Sequence, residues 1–254
     1  MTLPSPSQLL GANELYRDDR LGIYCGECSS ILSQFPDECI DLTVTSPPYD
    51  NLRNYNGYLF PFEDIARQLF RVTKPGGVVV WIVGDATIKG SETGTSFRQA
   101  LFFKEIGFNL HDTMIWHKNN PMPTQHHRYE NSFEYMFVLS KGIPTADNVL
   151  RVAASSHGAV RLKHRARAGH KDARNNEGLY VTEQTRIRHN VWDIPIGVAK
   201  GISHAAPFPE ALARDHILSW SNEDSVILDS MCGSGTTLKM ALLEGRKAIG
   251  IDIS

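Results

Sequence analysis

The stretch Val226-Ile-Leu-Asp-Ser-Met-Cys-Gly-Ser-Gly-Thr-Thr237 decides the fold. Three apolar residues ending in an acid read as a buried strand, Gly233 and Gly235 as a tight turn, and Thr236-Thr237 as the start of a helix. Glycine lets the backbone approach a ligand closely, and a helix start presents free N–H groups to an anion. The turn is not Gly-x-Gly-x-x-Gly, because residue 238 is Leu, and it is not a P-loop, because no Gly-Lys-Ser/Thr follows. A second strand, Lys247-Ala-Ile-Gly-Ile-Asp252, ends in an acid about twenty residues on, where a carboxylate accepts hydrogen bonds from ribose hydroxyls. Each piece alone is an ordinary turn or strand end. Together, at this spacing, they favour a cofactor that carries adenosine.

Working outward, short β-branched runs alternate with helical patterns, the signature of a mostly parallel sheet covered on both faces. Strands are predicted at Leu21 to Cys25, Ile40 to Thr45, Gly77 to Val83, His111 to His117, Phe133 to Ser140, Val226 to Asp229 and Lys247 to Ile251. Helices are predicted at Cys28 to Phe35, Phe62 to Val72, Ser96 to Ile106, Pro209 to Trp220 and Thr236 to Glu244. Lys74-Pro-Gly-Gly77 is a helix stop placed just before a strand. The alternation fails between Ile143 and about Lys200, so one α/β domain is expected in two pieces, 1–142 and 201–254, around an insert at 143–200. No internal repeat or low-complexity tract is present.

The 254 residues, 41% hydrophobic and 21% charged, fall within the range of ordinary globular proteins and exclude fibrous, collagenous and wholly disordered classes. The longest unbroken apolar run, within Val78 to Val83, is far short of the roughly 20 residues a membrane helix needs. The N-terminus lacks the basic and apolar regions of a secretory signal, so a cytoplasmic location is expected, on the nucleoid when bound to DNA. Four cysteines are too few for a disulfide framework, and Cys25-x-x-Cys28 has no second pair at zinc spacing, so no metal is expected. His126-His127 likewise lacks partner ligands and reads as a loop facing DNA or solvent.

Net charge is −2, yet it is unevenly spread. From Arg151 to Arg188 nine Lys/Arg stand against three acids, net +6, and the rest of the chain has 17 against 25, net −8. The insert is therefore either a solvated loop-rich surface or one that neutralises phosphates, through Arg161, Lys163, Arg165, Arg167, Lys171, Arg174, Arg186 and Arg188.

Thr45-Ser-Pro-Pro-Tyr49 closes an apolar strand, at the edge where open α/β sheets bind ligands. Two prolines fix the backbone extended and remove two N–H donors. The loop then offers carbonyls and the Ser46 hydroxyl as acceptors, which suits a donor such as an amine, and Tyr49 offers a flat face to a planar ring. Alone, this would read as a rigid proline turn.

With these motifs in this order, the chain resembles the amino-methylating DNA methyltransferases, in their circularly permuted β group. Thr45-Ser-Pro-Pro-Tyr49 resembles the catalytic motif and Leu228 to Thr237 the cofactor loop. His204-Ala-Ala-Pro-Phe-Pro-Glu210 resembles the segment over the methionine part of the cofactor, and Asn131 to Lys141 a strand beside the base pocket. The resemblance implies a seven-stranded Rossmann-like sheet, mostly parallel with one antiparallel strand, a basic target-recognition insert, and S-adenosylmethionine as cofactor. It implies a catalytic loop of Ser46, Pro47, Pro48 and Tyr49, in which Ser46 and the Pro47 carbonyl hydrogen-bond the target amine while Tyr49 stacks on the base. It places the cofactor on Asp229, Met231, Cys232, Gly233, Ser234, Gly235, Thr236 and Thr237, with Asp252 on the ribose, Phe208 as a wall, and Glu27 where the family often has Asp. Double-stranded DNA is the implied partner; a homodimer and a cognate restriction endonuclease stay open.

Ser at position 46 resembles the cytosine-N4 branch, Asp being usual in the adenine-N6 branch, so N4-cytosine is favoured with N6-adenine as the alternative. Covalent C5 chemistry is excluded, because none of the four cysteines follows a proline. A non-catalytic DNA-binding subunit is the rival of another class, and structured RNA is a further substrate left open. Relatives often continue past the Asp252 strand into a helix, and a helix starting at Ser5 and running to Tyr16 is a candidate for that cover. Trp81, Phe102, Phe103, Phe133 and Phe137 read as core, while Trp116 and Trp192 are open to DNA contact.

Overall fold

The computed structural model describes residues 3, 13–48, 60–121, 128–154, 160–162, 179–181, 184–196 and 209–253. The chain runs β1 (Asn13–Arg17), β2 (Leu21–Cys25), α1 (Cys28–Leu32), β3 (Ile40–Thr45), α2 (Phe62–Val72), β4 (Thr73–Val83), β5 (Thr87–Ile88), β6 (Ser91–Glu92), α3 (Thr95–Glu105), β7 (Asn109–His117) and β8 (Phe133–Ser140). It continues through β9 (Arg151–Ala153), β10 (Val160–Leu162), β11 (Leu179–Val181), β12 (Thr185–Ile187), β13 (Val191–Asp193), α4 (Glu210–Trp220), β14 (Val226–Asp229), α5 (Thr236–Leu243) and β15 (Lys247–Asp252). Two compact units result, one of residues 1–148 and 190–254, the other of 149–189.

All seven expected strands are present in the larger unit, in the order β2-β15-β14-β3-β4-β8-β7, and among them only β8 runs antiparallel. The apolar runs of β3, β4, β8, β14 and β15 are buried on both faces, as a helix-covered parallel sheet requires, whereas β2 and β7, nearer the sheet edges, alternate between buried and more exposed residues. Helices α1, α2 and α3 share one apolar cluster with the sheet, where Ile31, Ile65, Leu69 and Phe103 meet Val79, Trp81 and Leu139. Trp81 is fully buried, and its indole N–H donates to Gln99 at 2.9 Å, which satisfies the one polar atom the ring takes inside. Helices α4 and α5 pack on each other, α4 against β3 and β4 and α5 against β14 and β15.

Lys74-Pro-Gly-Gly77 ends α2 where expected, but β4 begins at Thr73 rather than Gly77. The register moves from Ile40↔Thr73 to Leu42↔Val78, so the extra residues form a bulge. Gly76 sits at φ +79°, and a Cβ there would lie 2.3 Å from Thr145 Cγ2, so only glycine fits.

The sheet also carries two edge strands that the sequence reading missed, β1 antiparallel to β2 and β13 parallel to β7. The helix expected to reach Tyr16 is thereby corrected: residues 13–17 are extended, because pairing with β2 satisfies their backbone groups. Phe133 is corrected as well, being exposed at the start of β8. Trp116 and Trp192 are buried, not surface contacts; the Trp116 indole donates to the Ile194 carbonyl at 2.7 Å, and Trp192 packs on His216. His126 and His127 lie outside the described residues.

In the smaller unit β9 pairs antiparallel with β12 and β10 with β11. Arg186 is exposed on β12, and the Arg188 amide donates to the Leu150 carbonyl. Arg161 lies on β10; Lys163, Arg165, Arg167, Lys171 and Arg174 lie outside the described residues.

Candidate active site

Parallel strands β2, β15, β14, β3 and β4 all end on the same edge of the sheet, and each delivers one part of the site there. Strand β3 delivers Ser46, Pro47 and Pro48, Pro47 buried and the other two half-buried. Tyr49 lies outside the described residues, as does Phe208. Strand β14 delivers Asp229 and the glycine turn, β15 delivers Asp252, and β2 delivers Glu27.

The turn is shaped by its glycines. Gly233 has φ +47° and Gly235 φ +79°, backbone states that other residues adopt only at a cost. Among the described residues a Cβ on Gly235 would meet only Leu238 Cδ1, at 3.9 Å. At Gly250 on β15 a Cβ would stand 2.5 Å from Leu238 Cδ1 and 3.0 Å from Cys232 Sγ, so the strand needs glycine for the turn to settle on it. Three bonds hold the turn down: Cys232 N to the Ile251 carbonyl at 2.9 Å, Gly235 N to the Cys232 carbonyl at 2.8 Å, and Gly233 N to Asp252 Oδ2 at 2.7 Å.

Asp229 is 5% exposed and ties three segments together. Its Oδ1 accepts from Thr45 Oγ1 at 2.8 Å and from Met231 N at 3.2 Å, and its carboxylate also takes a hydrogen bond from Thr237 at the start of α5. Burial pushes its pKa up to about 6, against the pull of these donors, and the nearby Asp252 adds to the rise. Glu27 behaves oppositely. Burial raises it, but the hydroxyl and amide of Ser29 and the amide of Ser30 outweigh burial and hold it at about 2. It is therefore an ionised N-cap for α1. Cys28 and Cys232, both buried, have thiols pushed well above the ordinary range by desolvation, so neither is a poised nucleophile.

The sequence reading missed Asp85, which follows β4 on the same edge. Its carboxylate accepts from Ser96 N at 2.8 Å and Ser96 Oγ at 2.5 Å, which caps α3 beside the proline loop's strand. It missed Thr45 too, whose partner lies 184 residues away in the chain. Among the described residues no group of three or more His, Cys, Asp or Glu could hold a metal ion, and no helix is long and apolar enough to cross a membrane.

This donor set fits a nucleoside with an amino-acid arm: the acid at the end of β15 for hydroxyls, and a glycine turn leading into α5's N-terminus for a carboxylate. The proline loop beside it offers acceptors to an amine.

Residues 40–254 match the family N6_N4_Mtase, described as DNA methylase. The orphan methyltransferase M.BamHII of Bacillus amyloliquefaciens is 53% identical over 228 residues, covering 86% of this chain and 85% of its own. In fold, the chain is similar to the cytosine-N4-specific PvuII DNA methyltransferase, with TM-score 0.70, 21% identity, and 96% of this chain and 86% of that one covered. It is also similar to the M1.HpyAVI–SAM complex, with TM-score 0.59, 22% identity, and 92% and 94% covered.

Proposed function

The chain belongs to the N6_N4_Mtase family of DNA methylases, and from that premise we propose that it methylates the exocyclic N4 amine of cytosine in duplex DNA. The enzyme class is a DNA methyltransferase, and its methyl donor is S-adenosylmethionine. The observation that carries the reading is the adjacency of two loops: an acceptor-only proline loop after β3 and a glycine turn after β14, joined by the Thr45–Asp229 hydrogen bond.

Bound there, S-adenosylmethionine supplies an electrophilic methyl group on a sulfonium. The protein's task is on the other reactant. An exocyclic amine shares its lone pair with the base ring, so it is a poor nucleophile until it is turned out of that conjugation. The Ser46 hydroxyl oxygen and the Pro47 carbonyl accept hydrogen bonds from its two N–H groups, which rotates the amine and stabilises the positive charge that builds on nitrogen. The lone pair forms the N–C bond as the carbon–sulfur bond breaks with its pair on sulfur, and the surplus N–H proton then passes to water. Ser46 is neutral, so positioning rather than strong base catalysis lowers the barrier. Pro48 keeps the loop extended, and Tyr49 stacks on the base after it leaves the duplex, which offsets part of the few kcal/mol of unstacking. Asp252 would accept from the ribose hydroxyls, Met231, Cys232 and Ser234 would wall the cofactor's turn, Phe208 would serve as a wall for the methionine arm, and the helix that Thr236 and Thr237 begin would receive its carboxylate.

Residues 143–200 read the DNA. The local charge of +6 between Arg151 and Arg188 supports this, with Arg186 exposed on a two-stranded ribbon that suits phosphate contact. Ser46, where an adenine enzyme of this kind usually has Asp, supports cytosine.

The test is incubation of the protein with unmethylated genomic DNA and S-adenosylmethionine, followed by nucleoside mass spectrometry. N4-methylcytosine is expected. N6-methyladenine would keep the chemistry and move the target base, and neither product would refute the catalytic reading in favour of a DNA-binding subunit.

A further inference from the structure

Strands β3 and β14 pair through Leu42–Ile227 and Thr43–Leu228. Past that point come Thr45 on one strand and Asp229 on the other, the residues directly before the two loops. There a side-chain bond joins the strands: Thr45 Oγ1 donates to Asp229 Oδ1 at 2.8 Å, and Ser230 Oγ donates to Thr45 Oγ1 at 3.3 Å. The oxygen that receives Thr45 also receives Met231 N, the first amide of the glycine turn. One buried carboxylate oxygen therefore sets the place of both loops. Thr45 is 1% exposed, so water does not compete for the bond.

We propose that Thr45 is a positioning residue, which registers the Ser46–Pro47 acceptors against the turn that holds the methyl donor. This rests on the methyltransferase reading above. Thr45 touches neither reactant; it sets the approach of amine to methyl, a geometry in which an error near 1 Å costs up to about a hundredfold in rate. The glycine turn does not depend on it, because the Cys232–Ile251, Gly233–Asp252 and Met231–Asp229 bonds remain when Thr45 is changed. Loss of Thr45's hydroxyl thus separates rate from cofactor affinity.

Nature supplies an internal control two residues earlier. Thr43 is on the same strand and fully buried, and its hydroxyl has no hydrogen-bond partner among the described residues. Thr43→Val and Thr45→Val make the same chemical change, and only the second removes a bond.

The experiment measures single-turnover methyl transfer to DNA, S-adenosylmethionine affinity by calorimetry, and folding by thermal melt, for the wild type, Thr45→Val, Thr45→Ser and Thr43→Val. The expected result is a ten- to hundredfold loss of transfer rate in Thr45→Val with cofactor Kd within about threefold of wild type, and rates near wild type in Thr45→Ser and Thr43→Val. A folded Thr45→Val at wild-type rate overturns the proposal, as does a loss of cofactor binding that matches the loss of rate. Should Thr45→Val fail to fold, a folded Thr45→Ser that loses tenfold or more overturns it, because the hydroxyl is still there. A wild-type protein that transfers no methyl group overturns the methyltransferase reading and this inference together, whereas wild-type activity with a fully active Thr45→Val overturns this inference alone.

Discussion

Replacing Asp229 by asparagine should stabilise the free protein at neutral pH. The Asp229 carboxyl has a pKa near 6 in the fold, against about 3.9 in an unfolded chain, because burial disfavours its charge more than its three donors favour it. Between those values the folded state holds a proton that the unfolded state has released, so stability falls as pH rises through the window from about 4 to 6. About two pKa units at 1.36 kcal/mol each amount to roughly 3 kcal/mol, fully felt above pH 6. The amide side chain would carry no charge to desolvate. Its carbonyl oxygen can still accept from Thr45 and Met231, and hydroxyls such as that of Thr237 can turn to accept from its NH2. Urea denaturation of wild type and Asp229→Asn at half-unit steps from pH 4 to 8 isolates this one group, because every other titration is common to both proteins. The difference in unfolding free energy should grow from near zero at the acid end to about 2–3 kcal/mol in favour of the variant above pH 6. A difference that is flat with pH, or that grows toward acid, would refute the claim that desolvation dominates at Asp229.

Three further outcomes follow from the same geometry. Ser46→Ala removes one of two acceptors from the amine, with an expected loss on the order of a hundredfold in transfer rate and an unchanged thermal melt, read by single-turnover methylation. Gly250→Ala puts a methyl group 2.5 Å from Leu238 Cδ1 and 3.0 Å from Cys232 Sγ; about 1–3 kcal/mol of stability should be lost in urea, with weaker S-adenosylmethionine binding in calorimetry as the turn is pushed off its strand. Arg186→Ala should weaken DNA binding across all sequences and flatten the dependence of log K on log salt by about one, with cofactor affinity untouched; an unchanged slope would remove Arg186 from the phosphate-binding surface.

The centre of the sheet was legible because its strands are buried on both faces, so runs such as Val78 to Val83 must be continuously apolar and stand out from helices of period 3.6. Strands β1 and β13 were not legible for the converse reason. Asn13-Glu-Leu-Tyr-Arg17 is an edge strand with Leu15 and Tyr16 exposed, and Val191–Asp193 is only three residues long; neither has a buried pattern to betray it. The glycine turn and the proline loop were readable as local motifs, since each owes its shape to Gly or Pro. That they meet through Thr45 and Asp229 was not readable, because nothing in a local pattern marks a threonine whose partner is 184 residues distant. The burial of Trp116 and Trp192 was hidden in the same way, by a packing arrangement in which one donates to Ile194 and the other lies against His216.

The strand order has a consequence for how the enzyme comes into being on the ribosome. Strands β2 and β3 are made before β14 and β15, yet β15 and β14 stand between them in the sheet. That part of the sheet is filled only after its flanks have been made. Folding therefore waits on contacts of very long sequence separation, which is slow, and a nascent chain must keep the flanks of β2 and β3 from pairing wrongly in the meantime. A chain interrupted before β14 lacks both β14 and β15 and the glycine turn between them, so β2 and β3 have no shared neighbour on which to assemble.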